Sequence, residues 1–271
     1  MAGTAWNNYR YSSSVECIVN SIIRVYDIRK ANISIFREAG VIDQATYEWL
    51  FNMEKINREI WIGNFLRSDP HLSKILSQGI IEAKRKFFEL NDIEDKEVLE
   101  IDNDAVYILG NRPIRYQQVS EFVYFKDAEV YSSYYKVKDL KYLYYFNQMT
   151  RQESLIVKGL GAQSTALHEH FMLDFLKELF YTAQVDGVAM AITLLSNFHQ
   201  MYISKSLDIG YYRTLNPTSR FRIVNFDQFG SFESDIANPM MMNLIDIDYN
   251  EKILRDFNRV LGIKYFKWYD D

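Results

Sequence analysis

The order of apolar and polar positions along the chain predicts strands, then helices, then strands and helices again. Residues 15–28 are apolar and β-branched, which favours a strand. Apolar residues at helical spacing predict a helix over about 45–66, with Asp43 as its cap. A second helix is predicted over about 72–90, and a strand–turn–strand pattern follows at about 97–110.

The second half of the chain begins with alternating aromatic runs and then changes to a helical period. Aromatic and β-branched residues between 117 and 158 predict antiparallel strands whose side chains pair across a sheet. The later expected elements are helices near 164–179, 188–205 and 249–261 and a strand near 219–226. This order predicts an α+β fold. The change of character near 160 predicts a domain boundary, with domains at 1–160 and 161–271.

The composition is that of a globular protein, with 48% apolar and 25% charged residues in a chain of 271 residues. This length can bury a sizeable core, as one large domain or two small ones. Cys17 is the single cysteine, which excludes an intrachain disulfide and fits a reducing compartment. No apolar run reaches the ~20 residues needed to cross a bilayer, and residues 1–20 lack the features of a signal peptide. We therefore expect a cytoplasmic protein with no membrane partner.

The net charge of -5 counts against an enzyme that grips long duplexes through their phosphates. It does not exclude nucleic-acid binding, because the local field depends on where the charges lie. The basic clusters Lys84-Arg85-Lys86 and Lys136-x-Lys138-x-x-Lys141 are expected on solvated faces.

Two aspartates, Asp102 and Asp104, lie one residue apart between two short apolar runs. Residues two apart on a strand share a face, so these carboxylates would emerge together and repel each other unless a cation neutralises them. A third acid, Asp27, ends another apolar run, and together these acids are the minimum equipment for a two-metal phosphoryl-transfer site. The three acids can meet only if the strands near 22–28 and 97–110 lie side by side, so we expect these strands in one antiparallel sheet with helices covering one face. Asp-Asn-Asp is equally a common hairpin turn, and both interpretations stay open at this stage.

Several segments resemble motifs of family B DNA polymerases, in the order of that family. Asp27-Ile-Arg-Lys-Ala-Asn-Ile-Ser-Ile35 is similar to the first palm motif, and Asp102-Asn-Asp-Ala-Val106 is similar to the Asp-Thr-Asp-Ser-Val motif. Lys55 and Gly63 have the spacing of the fingers-helix motif. The resemblance implies that Asp27 and Asp104 bind Mg²⁺ (or Mn²⁺), with Asp102 beside them in the catalytic site. It also implies that Lys55 and Gly63 contact the incoming triphosphate.

Weaker matches extend this resemblance towards the end of the chain. Lys141-Tyr-Leu-Tyr144 resembles a primer-contacting motif, and Lys158-Gly159 resembles the segment that leads into the thumb. Asn32 stands where the family has the tyrosine that excludes a ribose 2′-hydroxyl. The resemblance implies a palm-like domain at 1–160 with short helical fingers at about 37–92, and a mainly helical thumb-like domain at 161–271.

Three functions remain open from the sequence. The first is a compact nucleotidyltransferase that uses nucleotides and single-stranded or primer–template nucleic acid. The second is a non-catalytic polymerase relative that binds nucleic acid or protein, including a partner in a host complex. The third is an unrelated α+β interaction protein. The trimmed architecture and the aromatic, glycine-poor composition favour a viral origin, and therefore a host cytoplasm.

Overall fold

The computed structural model describes residues 5–159, 170–212 and 247–264. The strand expected near 219–226 and the helix start expected at 164 lie outside the described residues. Nine strands occur within the described ranges: β1 Arg10–Ser12, β2 Cys17–Ile18, β3 Ile23–Asp27, β4 Val98–Asp102, β5 Ala105–Leu109, β6 Glu129–Tyr131, β7 Ser133–Val137, β8 Leu140–Phe146 and β9 Glu153–Lys158.

The α-helices in the described ranges are α1 Ala31–Glu38, α2 Gln44–Asn52, α3 Lys55–Ser68, α4 Pro70–Leu90, α5 Lys177–Val185, α6 Val188–Ile203 and α7 Ile247–Arg259. Short 3₁₀ segments occur at Ala5–Asn7, Asp95–Glu97 and Ile209–Tyr212, and π-helical segments at His170–Leu176 and Val260–Lys264. Within the described residues, no helix is long and apolar enough to cross a membrane.

The single helix predicted over 45–66 is wrong, because the structure contains two helices there. Asp43 caps α2 as predicted, since its side chain accepts a hydrogen bond from the backbone N–H of Thr46 at 2.7 Å. Met53 and Glu54 are extended between α2 and α3. The helix predicted over about 72–90 is α4, which begins two residues earlier at Pro70. Asp69 caps it, since its side chain accepts a hydrogen bond from the backbone N–H of His71 at 2.8 Å.

The chain divides into two compact units, and the first contains the residues up to Ser14 together with Ile22–Val130. Its sheet has the strand order β1-β4-β5-β3-β6. Strand β5 lies between β4 and β3 and pairs antiparallel with both. The prediction that the strands near 22–28 and 97–110 lie side by side in one antiparallel sheet is therefore confirmed.

Helices cover one face of this first sheet. The core contains Tyr26, Val106 and Ile101 from the strands and Phe87 and Phe88 from α4, all nearly inaccessible to solvent. Residues Tyr26, Val106 and Ile101 are directly paired across β3, β5 and β4, so their side chains share this face. The opposite face therefore carries the alternate residues of these strands.

The second unit contains Val15–Ser21 and the residues from Tyr131 onwards. Its sheet has the order β2-β7-β8-β9, and helices pack their aromatic side chains on it. Tyr135 stacks on Phe180 with ring centroids 4.2 Å apart, and Tyr142 meets Phe257 edge-on at 5.0 Å. The aromatic strands and the later helices thus share one core. The division falls at 130–131 rather than at the change of sequence character near 160 for this reason.

The α+β prediction is confirmed, with two antiparallel sheets and several helices in the described residues. Many unrelated functions share an α+β architecture, so the palm-like and thumb-like assignments stay predictions.

Candidate metal centre in the first unit

The three candidate aspartates lie at the same end of neighbouring strands. Asp27 ends β3 and pairs with Ala105, and Asp102 ends β4 and pairs with the same Ala105. The side chains of Asp27 and Asp102 therefore share a face, on either side of β5. Asp104 lies in the hairpin turn, and its backbone carbonyl accepts a hydrogen bond from the N–H of Ile28 at 3.2 Å.

The order of the strands places Asp104 between the other two aspartates, because it precedes β5, which lies between β3 and β4. Neighbouring strands are roughly 4.8 Å apart, so Asp27 and Asp102 are separated by about two strand spacings, too far for one ion to bridge easily. The turn residue Asp104 is tied to the residue after Asp27. Asp27 and Asp104 are therefore the better pair of ligands, and Asp102 lies on the far side of the turn.

The electrostatics show that the carboxylates share a small region. Burial raises the pKa of Asp104 above its ordinary value of 3.8, and the negative charges of Asp27 and Asp102 raise it further. A hydrogen bond from its own backbone and the charge of Lys126 act in the opposite direction. Lys126 lies 3.9 Å from the carboxylate of Asp27, which is 40% exposed. Bringing a cation to this end of the sheet would relieve the repulsion.

The chemistry of these side chains suits a hard divalent cation. Carboxylate oxygens are the ligands that Mg²⁺ prefers, and Mg²⁺ commonly uses one or two carboxylates together with water and substrate phosphates. Among the described residues, no group of three or more His, Cys, Asp or Glu side chains is arranged to hold a metal ion. Asp27 and Asp104 therefore fit an open site that is completed by water and substrate, and not a closed protein cage.

Lys84, on α4, is the residue of this region that sequence reasoning missed. The expectation that it lies on a solvated face is wrong, because its side chain is completely buried. Its ammonium donates to the backbone carbonyls of Asn8, Tyr9 and Asn103 at 3.1, 3.0 and 2.9 Å. The signal was present in the sequence, since Lys84 follows Ile80 by four residues in the buried stripe of α4.

The turn residue Asn103 is held from two sides. Its backbone carbonyl accepts from Lys84, and its side-chain oxygen accepts from Nε of Arg10 at 2.8 Å. Asn103 has a φ of 55°, a left-handed conformation that Asn tolerates better than most residues. Burial lowers the pKa of Lys84 to about 8, while the charges of Asp104 and Asp102 act to raise it. Lys84 is thus electrostatically coupled to the aspartates of the turn.

The two residues matched to the fingers motif lie on one face of α3. Lys55 and Gly63 line a shallow groove there, together with Glu59. Lys55 is exposed and forms no ion pair among the described residues. Asn32, in α1, donates from its side-chain amide to Glu59 at 3.4 Å. Asn32 therefore contacts Glu59, which lines the same groove as Lys55 and Gly63.

The link from β3 to these helices is fixed by basic residues. Lys30 precedes α1 with a φ of 49° and donates to the backbone carbonyl of Phe51. Arg58, which is nearly buried, donates to the carbonyl of Met53 at 3.1 Å. Cations near the last carbonyls of a helix are stabilising, so both side chains secure the end of α2. Neither contact was predicted from the sequence.

The remaining candidates, Lys141, Tyr144 and Lys158, belong to the second unit. Lys141 pairs with Lys158 on one side and with Lys136 on the other, which places three lysines in one row across β7, β8 and β9. Lys141 is buried and Lys158 is exposed. Tyr144 lies in the core, and its hydroxyl donates to Glu153 at 2.7 Å. That hydroxyl is committed to an internal contact.

The family to which the chain belongs is known from its match to a protein-family model. Residues 4–261 match the family model of the bacteriophage PBS1 gene 130 protein. The chain belongs to the bacteriophage PBS1 gene 130 protein family. This name agrees with the viral origin expected from the sequence, and it gives no indication of a family B polymerase. No curated protein matches this member of the PBS1 gene 130 family.

Proposed function

We propose that this member of the PBS1 gene 130 family is a metal-dependent nucleotidyltransferase. It would transfer a nucleotidyl group from an NTP or dNTP to a 3′-hydroxyl by two-metal chemistry. The observation that supports this proposal best is the placement of Asp27, at the end of β3, beside Asp104, in the turn that leads into the neighbouring β5, with a raised pKa at Asp104. A carboxylate whose pKa is shifted by burial and by neighbouring charges is typical of functional sites.

In this proposal Asp27 and Asp104 hold the cations through their carboxylate oxygens. Bound Mg²⁺ would supply activation of the 3′-hydroxyl and neutralisation of the triphosphate. Lys126, which is 53% exposed beside Asp27, would contribute positive charge near the reacting phosphate. The resemblance to family B polymerases assigns the triphosphate to Lys55 and Gly63 and the sugar to Asn32.

The resemblance implies a primer contact in the second unit, and we assign this contact to a lysine and not to Tyr144. Lys141 and Lys158 are paired across β8 and β9. Lys158 is exposed, so its charge is open to a phosphate, whereas Lys141 is buried and is less suited to that contact. Tyr144 is less suited to a primer contact, because its hydroxyl already bonds Glu153 in the core.

The direct test is primer extension with NTPs or dNTPs in Mg²⁺ or Mn²⁺. Asp27→Asn and Asp104→Asn should each reduce the rate by about 10²–10³-fold, the range in which single electrostatic groups act in catalysis. Asp92→Asn is the matched control. Asp92 is an exposed turn residue with a φ of 52°, which Asn accepts, and its substitution should leave the rate unchanged.

The second candidate is a non-catalytic relative that binds nucleic acid or protein as an assembly factor. The exposed apolar residues of α3 favour it: Ile56 is 74% exposed and Ile60 58% exposed, both beside Lys55. Failure to incorporate any nucleotide, by a protein shown to be folded, would shift the proposal to this candidate.

A further inference from the structure

The ammonium group of Lys84 joins α4 to two other segments of the first unit, the residues Asn8 and Tyr9 and the turn residue Asn103. Its three N–H donors meet three backbone carbonyls, from Asn8, Tyr9 and Asn103, at 2.9–3.1 Å. An ammonium has three donors, so all of its hydrogen-bonding capacity is used. Lys84 therefore has no donor left for a substrate, and any role it has is exerted through the residues that it holds.

Stability alone is a poor explanation for a lysine at this position. The position belongs to the apolar stripe of α4, where a methionine or leucine would avoid removing a charge from water. The lysine instead places a positive charge close to the turn, and the charges of Asp102 and Asp104 interact with it. Burying the ammonium of Lys84 costs free energy unless the turn is stabilised by its positive charge.

The turn is the part of the molecule that needs such an anchor. Asp102 and Asp104 flank Asn103, and their mutual repulsion would favour a relaxed turn in which the carboxylates move apart. Lys84 fixes the backbone carbonyl of Asn103 and partly offsets this repulsion. Arg10 holds the side chain of the same residue from the exposed side.

We propose that Lys84 is a positioning residue, which holds Asn103 so that the carboxylate of Asp104 stays aimed at the cation shared with Asp27. This inference rests on the proposed function, because it requires the pair Asp27 and Asp104 to bind a divalent cation. It extends that function by assigning the preorganisation of the site to a buried side chain of α4. Preorganised ligands bind more tightly because less conformational freedom is lost on binding.

The experiment measures Mn²⁺ affinity from the free Mn²⁺ signal in electron paramagnetic resonance, at a temperature where each variant is fully folded. Lys84→Met should weaken Mn²⁺ binding at least about tenfold, on the scale known for residues that orient metal ligands. Lys86→Met, the same substitution two residues along α4, should leave the affinity unchanged. Lys84→Arg retains the charge and should recover part of the loss. Because only folded protein is compared, a purely structural role would leave the affinity unaltered.

A measurement on the wild-type protein covers the case in which Lys84→Met does not fold. Titration with Mg²⁺ should shift the ¹⁵Nζ resonance of Lys84 and leave that of Lys86 in place. Wild-type protein that binds Mn²⁺, with Lys84→Met binding equally well or with no shift at Lys84, would overturn this inference alone. Wild-type protein that binds no Mn²⁺ would overturn both the metal-dependent function and this inference.

Discussion

The backbone N–H of Ile28 donates to the carbonyl oxygen of Asp104 at 3.2 Å. This bond extends the β3–β5 ladder by one step beyond the pair of Asp27 and Ala105. The residue after one candidate ligand is thereby tied to the backbone of the other. This main-chain bond links the backbones of the two residues, whereas the direction of the Asp104 carboxylate also depends on the turn residue Asn103 that Lys84 holds.

A first prediction concerns stabilisation by metal ions. Because Mg²⁺ would bind only the folded site, a concentration of about ten times its Kd should add ~1.4 kcal/mol to the free energy of unfolding. This corresponds to a rise in Tm of about 3–6 °C for a chain of this size. Asp104→Asn should abolish the rise, while Asp92→Asn should retain it. The assignment of Asp104 as a ligand is wrong if its variant still responds fully.

The raised pKa of Asp104 predicts a particular dependence of stability on pH. Between 3.8 and the higher folded pKa, the folded state binds the proton more tightly than the unfolded state does. The contribution of Asp104 is therefore fully present below pH 3.8 and is lost as the pH rises through the folded pKa. In EDTA, the stability of Asp104→Asn relative to wild type should increase as the pH rises from acid to neutral. Urea unfolding at a series of pH values measures this difference, and a constant difference would contradict the prediction.

Two glycines should respond in opposite ways to alanine. Gly159 has a φ of 96°, and a Cβ there would lie 2.6 Å from the backbone oxygen of Asp139. Gly159→Ala should cost about 1–3 kcal/mol. Gly63 lies within α3 and has no atom within 4 Å of an added Cβ, so Gly63→Ala should stabilise the protein by up to about 1 kcal/mol. Chemical denaturation measures both. A strong loss of nucleotide transfer in stable Gly63→Ala would support the substrate contact implied for Gly63.

Tyr144→Phe separates a structural role from a primer contact. The variant loses the 2.7 Å hydrogen bond to Glu153, which should reduce the free energy of unfolding by about 1.5–3 kcal/mol. The affinity for primer should stay unchanged, because the hydroxyl lies in the core. A filter-binding or anisotropy assay with primer–template checks this. Weaker primer binding by a folded Tyr144→Phe variant would contradict this prediction and would support a primer contact by Tyr144.

The small side chain of Asn32 leads us to expect that the protein accepts ribonucleotides as substrates. Its side chain is half-buried and bonds Glu59 at 3.4 Å, where a bulky tyrosine would stand in the polymerase motif. Without that bulk, NTPs should be used at least as well as dNTPs, and Asn32→Tyr should shift kcat/KM towards dNTPs. The comparison of the two sugars for both proteins is the measurement. A strong deoxyribonucleotide preference in the wild type, or an unchanged ratio in the variant, would remove Asn32 from the site.

Features with a local cause could be predicted from the sequence. The hairpin around Asp102 and Asp104 follows from two apolar runs and turn residues, and the start of α4 follows from Asp69 and Pro70. The pairing of β3 with β5 was reached only by requiring the three acids to meet. The metal function itself stays a prediction.

Features that depend on distant segments were not predictable in the same way. The three acceptors of Lys84 come from the start of the chain and from the hairpin, so the sequence near Lys84 gives only its position in the apolar stripe. Likewise Tyr144 stands in one aromatic run with the half-buried Tyr145, and only the packing of α5 against β8 shows that Tyr144 belongs to the core.

The position of strand β2 has a consequence for how the protein folds during its synthesis. Its neighbours in sequence on both sides belong to the first unit, yet Cys17 pairs with Tyr135 in the second. On the ribosome, residues 15–21 emerge long before β7, so they have no strand partner until the residues from Tyr131 onwards have been synthesised. If the chain were cut at 130–131, the amino-terminal piece would keep a strand that the other piece lacks. Mixing the two pieces should then restore the sheet by strand complementation.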